Sequence, residues 1–159
     1  MNPIALQEAR DFYRSSRKTS FAMEHAKSAA AENRLQKWIV KYLREEGMNK
    51  SLAERIESAD LKSISLQEIP LKKFRRIIGP EKGQPFPESQ EVFENRITSL
   101  TKALRSGAVF PPFVITDFWE LGTLSDGNHR FETLVREGCE TYQAVVCFEK
   151  EESEDFLKN

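Results

Sequence analysis

Asp126, His129 and Arg130 lie within five residues of one another, and such side chains handle protons and phosphate groups. Gly127 stands between them, and glycine tolerates the positive φ that a tight turn requires. If a helix begins directly after Gly127, the main-chain N–H groups of Asn128, His129 and Arg130 have no partner within that helix. These N–H groups, at the positive end of the helix dipole, attract anions. The motif therefore predicts an anion site, with phosphate as the expected ligand.

The side chains of this motif suggest individual roles. Arg130 can donate two parallel hydrogen bonds to a phosphate, and His129 can add a further donor. Asp126 has the opposite charge, so beside a phosphate it needs a specific role. It would hold a divalent cation such as Mg²⁺, or accept a proton from a hydroxyl that attacks the phosphate. The alternative is that Asp126 only caps the turn, because Asp-Gly is a common turn dipeptide.

The hydropathy pattern predicts the elements that must position the motif. A buried strand over 113–116, a turn and a returning strand over 121–125 lead into it. A helix follows over 128–136, with Phe131, Leu134 and Val135 on its buried face and Gly138 at its end. The last predicted strand covers residues 142–148. The motif is thus expected at a strand–turn–helix junction.

The upstream part of the domain contains a predicted strand over 64–69 and a predicted helix over 89–106. Between them lies a basic cluster, Lys72–Arg76, and then a segment over 79–87 that is rich in glycine and proline. That composition predicts a long loop, which is where functional residues often lie. The basic cluster is expected either to hold nucleotide or nucleic-acid phosphates or to be a solvated surface.

Residues 1–59 are predicted to form a helical extension, with helices over 4–14, 22–46 and 51–58. These helices are expected to pack on the main domain, residues 60–148, or to mediate oligomerisation or partner binding. Residues 149–159 form an acidic tail, for which solvated disorder is the expectation. Because helices and strands alternate irregularly along the chain, the predicted fold class is α+β or mixed α/β.

The overall composition excludes several classes of protein. The 159 residues carry a formal net charge of -1, so no global positive field favours nucleic acid. The two cysteines form no Cys-x-x-Cys pair, which argues against a disulfide framework or a zinc site. No apolar run approaches the roughly 20 residues that span a membrane. We therefore expect a cytoplasmic protein that is not associated with a membrane.

The segment from Asp126 to Leu134, followed by Gly138, resembles the signature helix of the ParB/sulfiredoxin superfamily. Residues 111–116 and 124–125 look like the two strands that precede that helix. The upstream strand and helix also fall in the order that the superfamily uses. The resemblance covers about residues 60–148 and implies a small mixed sheet with packed helices, an α+β fold that the N-terminal helices precede.

Two branches of this superfamily differ from the chain at the motif. Sulfiredoxins look like Gly-Cys-His-Arg, and Asn128 stands where their nucleophilic cysteine would be. Sulfiredoxin activity is therefore not expected. ParB partition proteins look like Gly-Glu-Arg-Arg and bind CTP, and both Asn128 and His129 depart from that pattern. Because they also carry a helix-turn-helix module after this domain, and this chain ends sooner, partition-type DNA binding is not expected.

The closest pattern is Asp-Gly-x-His-Arg, found in free-serine kinases of the superfamily and in ParB-like proteins described as nucleases. By this resemblance Asp126 serves phosphoryl transfer to a small hydroxyl compound. His129 and Arg130 hold the nucleotide phosphates, and Gly127 and Asn128 contribute to the same cradle. The resemblance also implies Mg²⁺ and a nucleoside di- or triphosphate as cofactors.

The kinases use a loop glutamate together with the aspartate of the motif. Glu81, in Gly79-Pro80-Glu81, is the candidate for that residue, and Glu68 is the second choice. The alternative is that Glu81 is a solvated turn residue.

The expected function is phosphotransfer from ATP or ADP to a small hydroxyl compound, or hydrolysis of a nucleoside triphosphate. Two alternatives stay open: a non-catalytic regulator that associates with DNA or protein, and a ParB-like nuclease. Trp119, in a predicted turn, is expected either to stack on a base or to cover the edge of the core.

Overall fold

The computed structural model describes residues 21–158, and this part of the chain has a mixed α+β fold. Its six α-helices are α1 (Met23–Ala31), α2 (Leu35–Glu45), α3 (Lys50–Ser58), α4 (Gln90–Arg105), α5 (Asn128–Arg136) and α6 (Glu154–Lys158). Its strands are β1 (Ser63–Pro70), β2 (Ile78–Gly79), β3 (Phe86–Pro87), β4 (Phe113–Thr116) and β5 (Thr141–Phe148). Short 3-10 helices cover Leu71–Lys73 and Glu151–Ser153.

The main sheet has three strands in the order β1-β5-β4. The central strand β5 pairs antiparallel with β1 and parallel with β4, so the sheet is mixed. In this register Leu66 and Val114 both lie opposite Val145. The run 144–148 is fully buried, because helices cover both faces of the central strand.

The two faces of β5 enter two hydrophobic clusters. Val145 and Cys147 pack with the buried residues of α1, α2 and α3, while Ala144, Val146 and Phe148 face the cluster that includes α5. This alternation is the period of two that a strand imposes. The helices over 23–58 therefore pack on one face of the sheet, in agreement with the interpretation that they belong to the core.

The single helix predicted over 22–46 is wrong, because two helices occupy that range. The chain turns at Asn33, whose φ is +58°, and the N–H of Arg34 donates to the carbonyl of Ala29 at 2.9 Å. Asparagine is one of the few residues that ends a helix in the left-handed conformation. The predicted helix over 4–14 lies outside the described residues.

The predicted returning strand over 121–125 is also wrong. Its main chain makes only isolated bridges: Arg75 exchanges hydrogen bonds with Gly122 and Leu124, and the N–H of Ser125 donates to the carbonyl of Val114. The neighbour of β4 in the sheet is β5, so the segment crosses the end of β4 instead of pairing along it. The predicted loop over 79–87 likewise begins and ends in a short parallel pair, β2 and β3.

Residues 149–158 of the acidic tail are ordered, in contrast to the expected disorder. The Asp117 carboxylate accepts hydrogen bonds from the N–H groups of Glu149 and Lys150 and from the hydroxyl of Ser153, at 2.7–2.9 Å. Although burial favours the neutral acid, these hydrogen bonds hold the pKa of Asp117 below its usual value. Phe156 of α6 then packs edge-on against Phe74.

The helix of the motif matches its predicted range, with Phe131 and Leu134 buried, but Val135 is exposed.

Among residues 21–158, no helix combines the length and the apolar character that a membrane span requires.

Candidate functional site

The turn at Gly127 can only be built with glycine. Its φ is +101°, and a Cβ at this position would lie 2.6 Å from Cδ1 of Phe113 and 3.0 Å from Nη2 of Arg130. The carbonyl of Gly127 accepts the first helical hydrogen bond, from the N–H of Phe131 at 2.8 Å. No side chain caps α5, and the N–H groups of Asn128, His129 and Arg130 have no acceptor among residues 21–158. Three oriented donors are thus left for a ligand.

These donors belong to residues that line a cleft of about 630 Å³, which we call the first cleft. Arg96 of α4 lines the same cleft, and its exposed side chain forms no ion pair within residues 21–158. The turn Gly47–Asn49, between α2 and α3, also lines it. The first cleft therefore combines a helix N-terminus with an unneutralised guanidinium, which suits an anion.

Asp126 borders this cleft and is held from two sides. The amide Nδ2 of Asn49 donates to Oδ1 at 3.2 Å, and Nη2 of Arg130 donates to Oδ2 at 3.1 Å. The carboxylate accepts no hydrogen bond from the main-chain N–H groups of Asn128, His129 and Arg130, in contrast to the capping interpretation. Its side chain is 14% exposed. Burial raises the pKa of Asp126 above its usual value, although Arg130 and Asn49 favour the ionised form.

Arg130 is buried, and much of its hydrogen-bonding capacity is used inside the protein. Its side chain is 7% exposed, and Nη1 donates to the carbonyls of Pro111 and Pro112, the latter at 3.0 Å. Nη2 donates to Asp126. The predicted two-pronged contact of Arg130 with a phosphate would require these bonds to break. In the structure Arg130 joins α5 to the segment before β4 and balances the charge of Asp126.

His129 is paired with a residue that the sequence did not single out. Its Nε2 lies 2.7 Å from Oε1 of Glu88, and its ring packs at 5.6 Å from that of Phe93. A carboxylate can only accept, so Nε2 carries the hydrogen and the neutral ring keeps Nδ1 as an acceptor. Burial lowers the pKa of His129, although the Glu88 carboxylate opposes this shift. The ring of His129 is therefore neutral, and its Nε2 hydrogen is used by Glu88 instead of being the further donor to phosphate that the motif suggested.

This depressed pKa predicts a pH dependence of stability. Below the unfolded-state histidine pKa of about 6.5, the unfolded chain binds more protons at this residue than the folded chain does. The wild-type free energy of unfolding should therefore fall as the pH is lowered from about 7.5 to about 5.5, more steeply than that of H129Q. Urea unfolding at several pH values measures this difference. Parallel pH profiles of the two proteins would contradict the assignment.

The side chain of Asn128 has a structural role. It is buried, and its Oδ1 accepts a hydrogen bond from the N–H of Ile77 at 2.8 Å. This bond joins the start of α5 to the chain that follows the basic cluster. The main-chain N–H of Asn128 has no partner within residues 21–158 and is left for the predicted phosphate contact.

Neither predicted loop glutamate approaches Asp126. Glu81 forms an ion pair with Arg76, which holds the pKa of Glu81 below its usual value, and it lines neither of the clefts that Asp126 borders. Glu68 lies in β1 and accepts a hydrogen bond from Thr141. The carboxylate that reaches the motif is Glu88, through His129.

Asp126 also borders a second cleft, of about 820 Å³, which shares Asn49, Ile78 and Asn128 with the first. Trp119 lines this second cleft and is 61% exposed, so it does not cover the core. The basic cluster is not a continuous free surface beside it. Arg75 pairs with Glu120, and Arg76 pairs with Glu81 and Glu132.

Within residues 21–158, no group of three or more His, Cys, Asp or Glu side chains is placed to hold a metal ion.

Three residues that sequence reasoning missed, Asn49, Glu88 and Arg96, contact or face the motif from elsewhere in the chain. Asn49 had a local signal, since asparagine is a preferred helix N-cap. No family model, curated protein or solved structure matches this chain.

Proposed function

We propose that the first cleft binds the phosphates of a nucleoside di- or triphosphate, and that the protein transfers a phosphoryl group to a small hydroxyl compound. The observation that carries this proposal is the set of three unpartnered N–H groups at the start of α5, in residues that line the same cleft as Arg96. The pattern Asp-Gly-x-His-Arg, which resembles the ParB/sulfiredoxin superfamily, and the glycine turn that leads directly into the helix agree with it.

In such a transfer, each of these residues of the cleft has a separate role. The N–H groups of Asn128 and His129 bind phosphate oxygens, and Arg96 neutralises charge that develops on the transferred group. The hydroxyl oxygen of the acceptor attacks phosphorus, the bond to the nucleotide oxygen breaks, and Asp126 takes the proton of the hydroxyl. The raised pKa of Asp126 suits this role, because a base is most effective when its pKa approaches the working pH.

A divalent cation fits one side of this site. Asp126 offers hard carboxylate oxygens at the border of both clefts, each with a lone pair beyond the bond it accepts. Mg²⁺ is commonly held by one or two carboxylates and by substrate phosphates. Asp126 would be its protein ligand here, and the cation would neutralise phosphate charge.

Isothermal titration with ATP, ADP and CTP tests the phosphate site. Arg96→Ala should weaken nucleotide binding about 10- to 100-fold, because a charge-assisted hydrogen bond contributes roughly 1.5–3 kcal/mol. Arg105→Ala is the matched control: it removes the same charge from the same helix, but Arg105 pairs with Glu137 and does not line the first cleft. Its affinity should equal that of wild type. Absence of nucleotide binding by wild type, or equal losses in both variants, would refute the phosphate site.

Asp126→Asn distinguishes a catalytic site from a site that only binds nucleotide. The variant should retain nucleotide binding and lose turnover, which phosphorus NMR of ATP with added hydroxyl compounds and Mg²⁺ measures. Unchanged turnover in this variant would remove Asp126 from the mechanism. Binding of short DNA in place of nucleotides, with a steep salt dependence, would favour the nucleic-acid alternatives.

A further inference from the structure

We infer that Asn49 is the positioning residue of Asp126, so that the N-terminal helices supply part of the reactive site. The inference rests on the proposed function for its catalytic consequence, but the contact itself can be tested independently. Asn49 lies 77 positions before Asp126 in the chain, and its Nδ2 donates to Oδ1 of Asp126 at 3.2 Å. The motif at 126–130 alone gives no indication of this contact.

Two hydrogen bonds fix the orientation of the Asn49 amide. Its Oδ1 accepts from the N–H of Leu52 at 3.3 Å, as the N-cap of α3, while its Nδ2 donates to Asp126. Because the capping bond uses the oxygen, only the nitrogen can face the carboxylate. The capping bond therefore fixes the orientation of the Asn49 amide and holds its Nδ2 toward Asp126.

The conformation of the turn before Asn49 places this residue beside Asp126. Met48 has a φ of +50°, a conformation that is uncommon for a residue with a side chain. Met48 is also 84% exposed, so no burial of its side chain offsets that conformation. The N–H of Asn49 donates to the carbonyl of Leu43 at 2.8 Å, which joins the turn to the end of α2. Strained turns of this kind occur where the chain must place a particular group.

Asn49 and Arg130 together hold Asp126 from opposite oxygens. Each bond fixes one oxygen of the carboxylate, and Asp126 borders both clefts. Without the bond from Asn49, the carboxylate would be free to turn about its attachment while it stays paired with Arg130. Loss of the Asn49 amide should therefore slow proton transfer without weakening nucleotide binding.

Asn49→Ser and Asn49→Ala separate the two roles of this side chain. Serine keeps a capping oxygen but has no amide to reach Asp126, whereas alanine loses both. Both variants should lower kcat about tenfold and leave the nucleotide KM within about twofold of wild type. Asn49→Ala should lower the urea midpoint further than Asn49→Ser does, because it also loses the cap. A wild-type kcat in Asn49→Ser would show that Asn49 acts as a cap alone and would overturn the inference.

A double-mutant cycle tests the contact without any activity measurement. Urea midpoints are compared for wild type, Asn49→Ser, Asp126→Asn and the double variant. The effects of two substitutions in contact should not add, whereas additive effects would show that the side chains are uncoupled and would overturn the inference. If wild type shows no turnover, the proposed function fails, and this cycle still decides whether Asn49 holds Asp126.

Discussion

Gly127→Ala is expected to destabilise the fold by about 3 kcal/mol or more, the sum of a strain and a packing cost. The substitution forces a residue with a Cβ into a φ of +101°, which costs about 1–3 kcal/mol. The same Cβ would lie 2.6 Å from the ring of Phe113, a fully buried side chain that cannot move aside easily. Such overpacking costs about 1–3 kcal/mol more. Urea unfolding of the two proteins gives the difference in the free energy of unfolding.

Gly138→Ala is the matched control for this prediction. Gly138 also has a positive φ, +83°, but a Cβ there would have no neighbour within 4 Å. Its substitution should therefore cost only the conformational strain, which the variant at Gly127 exceeds. Equal losses for the two variants would mean that the ring of Phe113 moves aside and that its close contact with Gly127 is not needed for stability.

The Gly127 variant should also lose nucleotide binding, because the first N–H groups of α5 would shift.

Arg130→Met should be the most damaging substitution of a charged residue in the motif, at about 3–5 kcal/mol. It removes the partner of a largely buried carboxylate and leaves the carbonyls of Pro111 and Pro112 without this donor. Breaking a buried pair by removing one partner typically has a cost of this size. Arg136→Met is the control, since Arg136 is 42% exposed and pairs with Glu94 and Glu132 at the surface. Its cost should stay below about 1 kcal/mol.

The double variant of Arg130→Met with Asp126→Asn shows whether the uncompensated charge is the cause. If it is, adding the substitution at Asp126 should restore part of the lost stability, because a neutral amide needs no countercharge. Additive losses, measured by the same urea unfolding, would indicate that the two prolyl carbonyls account for the effect of Arg130.

The elements nearest the motif could be predicted because their signals are local. The buried run 113–116 and the apolar spacing that starts at Asn128 each identify one element, and Gly127 marks the start of the helix. The break at Asn33 was missed because the residues around it, Ser28-Ala29-Ala30-Ala31, favour a helix and a single asparagine ended it. The order of the tail was missed because it depends on Asp117, some 30 positions earlier.

The same distinction explains the site. The position of the N–H groups follows from Gly127 and from the helix that comes after it, so the sequence could indicate it. The partners of the side chains follow from the tertiary structure: Glu88 reaches His129 across 41 positions, and Asn49 reaches Asp126 across 77. A charge pattern alone suggested that His129 and Arg130 were free cations. Burial and these partners make one neutral and commit the other to the protein's own main chain.

The first cleft is lined by two parts of the chain that lie far apart in the sequence. Tyr42 and the turn Gly47–Asn49 come from the N-terminal helices, whereas the donors of α5 come from beyond β4. A ligand that contacts both is bound only while those helices remain docked on the sheet. By thermodynamic linkage it stabilises the docked state by RT ln(1 + [L]/Kd), which slows hydrogen exchange throughout α2 and α3. Hydrogen exchange with and without a nucleotide should therefore report occupancy of the cleft at amides that do not line it.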